Sequence, residues 1–208
     1  MKKAFELIAG HPALDLVNTL DWRVREAGPE DLLSNYDDLL RFCEQSKILT
    51  PTQALQLRGL AGRRAGARAL KHCASLREAI AEILYSRFDR RIPPAESLKI
   101  LQRSIHAARL QQRLRWSKGR LEWDWRASDA ELPYWVLAES ASDLMLSEAA
   151  TSVRQCDNPE CRWLFLDTSK NHTRRWCDMR LCGNRMKARR FKARVTTGSS
   201  VQLSSRTS

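Results

Sequence analysis

Four of the chain's six cysteines lie close together in two pairs of equal spacing. Cys156 and Cys161 form the first pair, Cys177 and Cys182 form the second, and 15 residues separate the two pairs. Short, repeated spacing of this kind is typical of a zinc site, because a tetrahedral Zn²⁺ ion needs four soft ligands that converge on one point. The sequence therefore predicts one structural zinc ion, bound by these four thiolates.

Two disulfides and four buried thiols are the alternatives to a zinc site. A reducing cytoplasm disfavours disulfides, and the regular spacing favours a metal. His172 lies between the two pairs, but with four thiolates present we expect it at the surface or against a phosphate. Cys43 and Cys73 fall on apolar faces of predicted helices, where cysteine serves as a small core residue.

The residues around the four cysteines predict a small finger. Residues 163–166 are typical of a strand, residues 167–171 of a turn, and residues 174–176 of a returning strand. From Cys182 onward the pattern is helical, so the second cysteine pair is expected to open a helix. This order resembles a treble-clef zinc finger.

The positive charge of the chain is concentrated in the same region. The sequence has 36 Lys and Arg against 24 Asp and Glu, a net charge of +12. Residues 151–208 contribute 13 basic and 4 acidic side chains, a net of +9, whereas residues 1–150 contribute 23 and 20, a net of +3. Such a basic block favours a polyanionic partner, with nucleic acid preferred to a membrane.

The helix predicted after Cys182 has cations on both flanks of a narrow apolar stripe, Ala188, Phe191 and Val195, which we expect to dock the helix. A helix of this kind can lie in the major groove of double-stranded DNA and contact both phosphates and base edges. Arg185 and Arg189 lie nearest the helix start and are expected to read bases. The expected DNA contacts are Arg174, Arg175, Arg185, Lys187, Arg189, Arg190, Lys192 and Arg194. Alternatively, these cations form a solvated face or offset the charge of the thiolates. The finger is then a zinc-stabilised protein-interaction module.

Residues 1–150 predict a mainly helical unit, because apolar residues recur at helical spacing over 7–22, 31–49, 67–90 and 129–149. Alternation around residues 117–119 instead predicts a β-hairpin with three tryptophans on one face: Trp116, Trp123 and Trp125. The predicted fold class is therefore mainly α with one Trp-rich β-hairpin (α+β), followed by a small treble-clef-like zinc finger.

Three segments are expected along the chain. Residues 1–150 form the helical domain, residues 151–195 form the finger, and residues 196–208 form a disordered tail. The tail is expected because eight of its thirteen residues are Ser or Thr and few are apolar.

The first predicted helix carries Asp15, Asn18 and Thr19 on one face. A carboxylate, an amide and a hydroxyl together suit a small polar ligand, and a solvated face or a buried polar network is the alternative. An enzyme is the least favoured class, because a four-thiolate zinc ion has no open position for substrate. The sequence also has no P-loop, no G-x-S-x-G and no His-Glu-x-x-His motif.

Two stretches resemble known families. The finger resembles the CGNR zinc finger through Cys182-Gly183-Asn184-Arg185, Trp163-x-Phe165-x-Asp167 and Arg175-Trp176-Cys177-x-Met179. Residues 10–150, which begin with Leu14-Asp15-x-Val17-Asn18-Thr19, resemble the ABATE domain that precedes this finger in bacterial proteins assigned as stress-response transcription regulators.

The resemblance implies a transcription regulator, and the basic helix predicts that it binds DNA. In a regulator, the first domain is expected to be a sensor for a small-molecule effector or a unit of homodimerisation. A cytoplasmic location is expected, because no apolar run approaches the roughly 18 residues that span a bilayer. Glu6 and Asp15 interrupt the first apolar stretch, which argues against a secretory signal.

Overall fold

The computed structural model describes residues 4–125 and 129–201, with side chains described as far as Lys192. The protein is 54% helical with small antiparallel hairpins, which confirms the predicted fold class. The α-helices are α1 (Pro12–Asn18), α2 (Tyr36–Gln45), α3 (Pro51–Leu60), α4 (Arg63–Phe88), α5 (Ala95–Arg109), α6 (Leu132–Met145) and α7 (Asn184–Val201). The strands are β1 (Leu20–Asp21), β2 (Glu30–Asp31), β3 (Gln112–Ser117), β4 (Arg120–Trp125), β5 (Val153–Gln155) and β6 (Leu164–Leu166).

Local sequence signals explain where several helices begin. Thr50 and Gln53 form a reciprocal capping box at the start of α3, and Pro51 occupies its first turn, where a missing N–H costs nothing. Asn35 caps α2 by accepting a hydrogen bond from the backbone N–H of Asp38 at 3.0 Å. These caps satisfy backbone groups that no helical partner reaches.

Within the segment 7–22, the first helix ends earlier than expected, at Asn18. Pro12 begins α1, and the chain leaves the helix after Asn18 because the next residues, Leu20–Asp21, pair with Glu30–Asp31 as β1 and β2. Trp22 then adopts a left-handed conformation with φ of 52°. The prediction of one continuous helix over this segment is therefore wrong.

Strands β3 and β4 form the predicted tryptophan hairpin. Their register pairs Trp116 with Leu121, Leu114 with Trp123, and Gln112 with Trp125. Because directly opposite residues share a face, all three tryptophans lie on one side of the ribbon, as expected.

Helix α1 lies at the centre of the fold. Every residue from Ala13 to Asn18 is buried, and α1 packs against α4, α6 and β6. One continuous apolar core contains residues of these helices together with Leu164, Phe165 and the four clustered cysteines. The helical region and the finger therefore share a core.

The finger contains a different strand pair from the one predicted. β6 confirms the strand expected near residue 164, but its partner is β5, with Val153 opposite Leu166. Residues 174–176 do not form the expected return strand. The Arg174 guanidinium instead donates hydrogen bonds to the carbonyls of Trp176 and Cys177, which holds this segment in an irregular conformation.

The last helix extends past the expected end of the finger. Residues 196–201 belong to the end of α7, whereas the rest of the predicted disordered tail, residues 202–208, lies outside the described residues. Across the part of the chain that the structure describes, no helix is long and apolar enough to cross a membrane.

Candidate metal centre and nucleic-acid interface

The four predicted ligands meet at one point. The Sγ atoms of Cys156, Cys161, Cys177 and Cys182 all lie within 4.8 Å of one another, and all four residues are buried. The Sγ atoms of Cys161 and Cys177 are 3.9 Å apart. Four thiolates at about 2.3 Å from a tetrahedral zinc ion would be about 3.8 Å apart, so the donor set and its spacing fit Zn²⁺.

Backbone hydrogen bonds hold the two ligand-bearing turns. In the first turn, the Cys161 N–H donates to the carbonyl of Asn158 at 3.0 Å. In the second, the Cys182 N–H donates to the carbonyl of Asp178 at 3.0 Å. The Asp178 carboxylate also accepts a hydrogen bond from the N–H of Arg180 at 2.6 Å, which caps the π-helical turn Met179–Gly183 that leads into α7.

The Cys182 sulfur has a hydrogen-bond donor beside it. The Asn158 side-chain amide donates to this sulfur at 3.3 Å, and such a donor favours the thiolate form. Metal ligation requires the deprotonated form of cysteine. Sequence reasoning missed Asn158; a polar residue between the two ligands of the first turn was the available signal.

Asp167 and Arg174 order the segment between the cysteine pairs. The Asp167 carboxylate accepts hydrogen bonds from the backbone N–H groups of Ser169 and Arg174 at 3.0 and 2.9 Å. The Arg174 guanidinium lies 4.3 Å from the centre of the Phe165 ring. His172 is exposed and hydrogen-bonds the Asp167 carbonyl at 2.9 Å, outside the cluster of four sulfurs.

Polar contacts join the finger to the helical region, and those of Asn18 are buried. The Asn18 side chain accepts a hydrogen bond from the Leu164 N–H at 3.0 Å and donates to the Leu164 carbonyl at 2.9 Å. The Trp163 indole donates to Asp21 at 2.8 Å. On the other side of the junction, the Tyr85 hydroxyl donates to the carbonyl of Arg162 at 3.0 Å.

Asp15 and Asn18 of α1 and Thr19, which follows it, have partners within the protein. Asp15 accepts a hydrogen bond from the Ala9 N–H at 3.0 Å, and Thr19 accepts one from Arg77 at 3.2 Å. Like Asn18, both residues are buried, and each of the three bonds to a different part of the protein. A ligand site at these residues stays a prediction.

Helix α7 has two different flanks. Arg185, Arg189 and Lys192 lie on one flank, where the Arg185 guanidinium is 4.8 Å from the centre of the Trp22 ring and Arg189 pairs with Glu160 at 3.2 Å. Arg185 and Arg189 thus contact the rest of the protein, although both side chains stay exposed. Lys187 and Arg190 lie on the opposite flank, and both are exposed and without an ion-pair partner among the described residues.

The apolar stripe of α7 does not dock as expected. Ala188 and Phe191 are exposed, and the side chain of Val195 lies outside the described residues. From Asn184 to Lys192, only Met186 is partly covered. This exposure leaves the helix open to a partner.

The two arginines before Cys177 differ in how they are engaged. Arg174 is partly buried, and its guanidinium is bound to two carbonyls, which makes it a structural residue. Arg175 is exposed, pairs with Asp157 at 2.6 Å and stacks on Trp176.

Comparison with protein-family models identifies both parts of the chain. Residues 10–148 match the model of the ABATE family, described as "Putative stress-induced transcription regulator", and residues 152–195 match the CGNR zinc finger. The chain belongs to the ABATE family and carries a CGNR zinc finger, as the sequence motifs indicated. A comparison with curated proteins finds no match. The protein is thus a zinc-binding protein of a regulatory family, with one structural zinc ion bound by the four cysteines.

Proposed function

We propose that this protein is a transcription regulator that binds double-stranded DNA through α7. The observation that carries the proposal is the exposure of a basic helix that begins at the zinc-bound turn: from Asn184 to Lys192 it has five cations and no acidic residue. An α-helix fits the major groove, and cations along it can contact phosphates.

The two flanks of α7 suggest different roles in DNA binding. Lys187 and Arg190 are exposed on the flank opposite Arg185 and Arg189. We assign phosphate or base contacts to this outer flank first. Arg185 and Arg189, which the sequence suggested as base readers, would have to leave Trp22 and Glu160 to reach a base edge.

The salt dependence of DNA affinity tests the proposal. With about three to five phosphate contacts, log affinity should fall against log salt with a slope of about −3 to −5, because each contact releases counterions worth about −0.9. Lys187→Ala and Arg190→Ala should each flatten this slope by about one. Fluorescence anisotropy of a labelled duplex over a salt series measures it.

Lys71→Ala is the matched control, since Lys71 is an exposed lysine of α4, outside the finger. It should leave both affinity and slope unchanged. A wild-type affinity that does not respond to salt would overturn the proposal, as would equal losses in the Lys71 and Lys187 variants.

A protein-interaction module is the second candidate, and Phe191 is the observation that favours it. This aromatic residue is 69% exposed on α7, where an apolar partner surface can cover it. Phe191→Ala should then abolish partner binding while leaving duplex affinity and its salt slope at wild-type values. If α7 binds only DNA, no protein partner binds to it, and Phe191→Ala changes no protein binding.

We also propose that the helical region acts as a sensor that controls the finger. Its support is the junction beside the zinc site, where a cavity of about 150 Å³ is lined by residues of both parts, among them Asp21, Trp22, Trp163 and Arg185. A ligand that displaces Arg185 from Trp22 would change the position of the first turn of α7. Trp22→Ala should alter duplex affinity, whereas Trp22→Phe, which keeps an aromatic ring under the guanidinium, should restore it. Equal effects of the two substitutions would contradict this coupling.

A further inference from the structure

The β3–β4 hairpin has an apolar face that the described part of the protein leaves uncovered. Leu114, Trp116, Leu121 and Trp123 share this face, and each keeps between 58% and 69% of its surface exposed. Exposed tryptophans in a contiguous apolar patch are uncommon on a soluble surface and indicate an interaction site.

The opposite face of the ribbon carries charged side chains that already form ion pairs. Arg113 pairs with Asp124 at 3.0 Å, and Arg115 lies 3.8 Å from Glu122, both across the two strands. Trp125, at the base of the ribbon, packs on the main core and attaches the hairpin to it. The ribbon is thus anchored at one end, charged on one face and apolar on the other.

We propose that this face is the contact between two copies of the chain. The four side chains form a two-by-two pattern in which each tryptophan has a leucine beside it on the partner strand: Leu114 opposite Trp123, and Trp116 opposite Leu121. A two-fold axis in the plane of the patch, either along or across the strands, places every tryptophan over a leucine of the other copy. The patch is therefore complementary to itself in size, as a symmetric interface requires.

The exposed area of the patch is also large enough for a dimer interface. Two tryptophans and two leucines exposed to this extent offer about 500 Å² per copy, or about 1,000 Å² in a pair, which is the lower limit for a specific interface. A two-stranded hairpin is marginal on its own, and covering its apolar face would stabilise it. The inference does not depend on DNA binding.

Sedimentation velocity over a concentration series tests the inference. The wild-type chain should shift from 23.9 kDa to twice that mass as its concentration rises. Leu121→Lys should weaken the dimer by about 100-fold, because the two-fold axis buries two unpaired ammonium groups. Leu55→Lys is the matched control: Leu55 lies on α3 and is 68% exposed, compared with 61% for Leu121, and its substitution should leave the dimer intact.

Size-swap variants identify the axis. Trp116→Leu with Leu121→Trp restores the tryptophan-on-leucine contacts only for an axis along the strands, whereas Trp116→Leu with Leu114→Trp restores them only for an axis across the strands. Rescue of Trp116→Leu by one swap and not the other supports the proposal. A chain that stays monomeric at about 100 μM, or equal weakening by Leu121→Lys and Leu55→Lys with unchanged circular dichroism, would overturn it.

Discussion

Asn18 joins the first helix to the finger through both groups of its side-chain amide. It is buried, and it satisfies the N–H and the carbonyl of Leu164, a residue 146 positions away in the chain. A buried amide that bonds both the N–H and the carbonyl of one residue is hard to replace. Any smaller or apolar side chain leaves these two backbone groups unpaired. The Asn18 contact therefore ties the zinc finger to the helical core.

Asn18→Ala should lower the free energy of unfolding by about 2–4 kcal/mol, since two buried backbone groups lose their partners. Asn171→Ala, at an exposed position between the cysteine pairs, is the control and should change it by less than about 0.5 kcal/mol. Urea unfolding followed by circular dichroism measures both. Similar values for the two variants would show that the Leu164 contact contributes little.

Asp15 gives stability a dependence on pH. Burial raises the pKa of this carboxyl from 3.8 to about 6, although the hydrogen bond from Ala9 opposes the shift. The folded state then holds a proton that the unfolded state has released, so Asp15 makes the protein less stable as pH rises from about 4 to about 6. Above that range the penalty is constant, at about 3 kcal/mol for a shift of this size.

Asp15→Asn should remove this dependence. The free energy of unfolding of the variant should rise relative to that of the wild type between pH 4 and 6. Above pH 6 the difference between them should stay constant. Urea titrations at several pH values measure the difference. A difference that is already constant at pH 4 would mean that Asp15 titrates normally in the folded protein.

At the scale of elements, substitutions at two helical glycines distinguish the effect of packing from the effect of helix propensity. A Cβ added at Gly66 in α4 would lie 2.8 Å from Cγ of Tyr36 on α2, whereas one added at Gly59 in α3 would meet nothing within 4 Å. Gly59→Ala should raise the free energy of unfolding by about 0.5–1 kcal/mol, because alanine favours the helix. Gly66→Ala should lower it by about 1–3 kcal/mol, because the Tyr36 ring must move. Thermal unfolding of both variants checks the two signs, and stabilisation by both would mean that α2 and α4 separate easily.

Some elements could be predicted from local sequence, and others could not. The capping box of Thr50 and the alternation around residues 117–119 are both local signals, and the hairpin formed as predicted from the second. The end of α1 and the pairing of β6 with β5 depend on strands of only two or three residues, which are too short for periodicity to report. The exposure of Phe191 was missed for a different reason: a stripe on a helix shows what can pack but not whether a partner surface is present.

The metal site was more predictable than the surfaces around it. Cysteine spacing determines which sulfurs can converge, so the four ligands could be predicted from their positions along the chain alone. Arg174 bonds the carbonyl of Trp176, Arg185 lies over the Trp22 ring, and Arg189 pairs with Glu160. The net charge of the segment predicts none of these contacts. Sequence could therefore predict a basic finger but not which cations face outward.

For the whole molecule, the shared core couples zinc to the stability of the entire chain. The four cysteines belong to the same apolar cluster as α1, α4 and α6. Structural zinc contributes on the order of 10 kcal/mol to a finger of this kind, so its removal should lower the melting temperature of the helical signal as well. Circular dichroism melts of the zinc-loaded protein and of Cys177→Ser compare the two states. A helical transition at an unchanged temperature in Cys177→Ser would contradict this coupling.

Selection from a random duplex library tests the role of α7 most directly. If the outer flank of α7 binds a DNA groove, the wild-type, zinc-loaded protein should enrich one consensus sequence, and the double variant Lys187→Ala and Arg190→Ala should lose it while keeping its fold by circular dichroism. Lys71→Ala should recover the wild-type consensus. Failure of the wild-type protein to enrich any sequence, or an identical consensus from the double variant, would contradict DNA recognition by this helix.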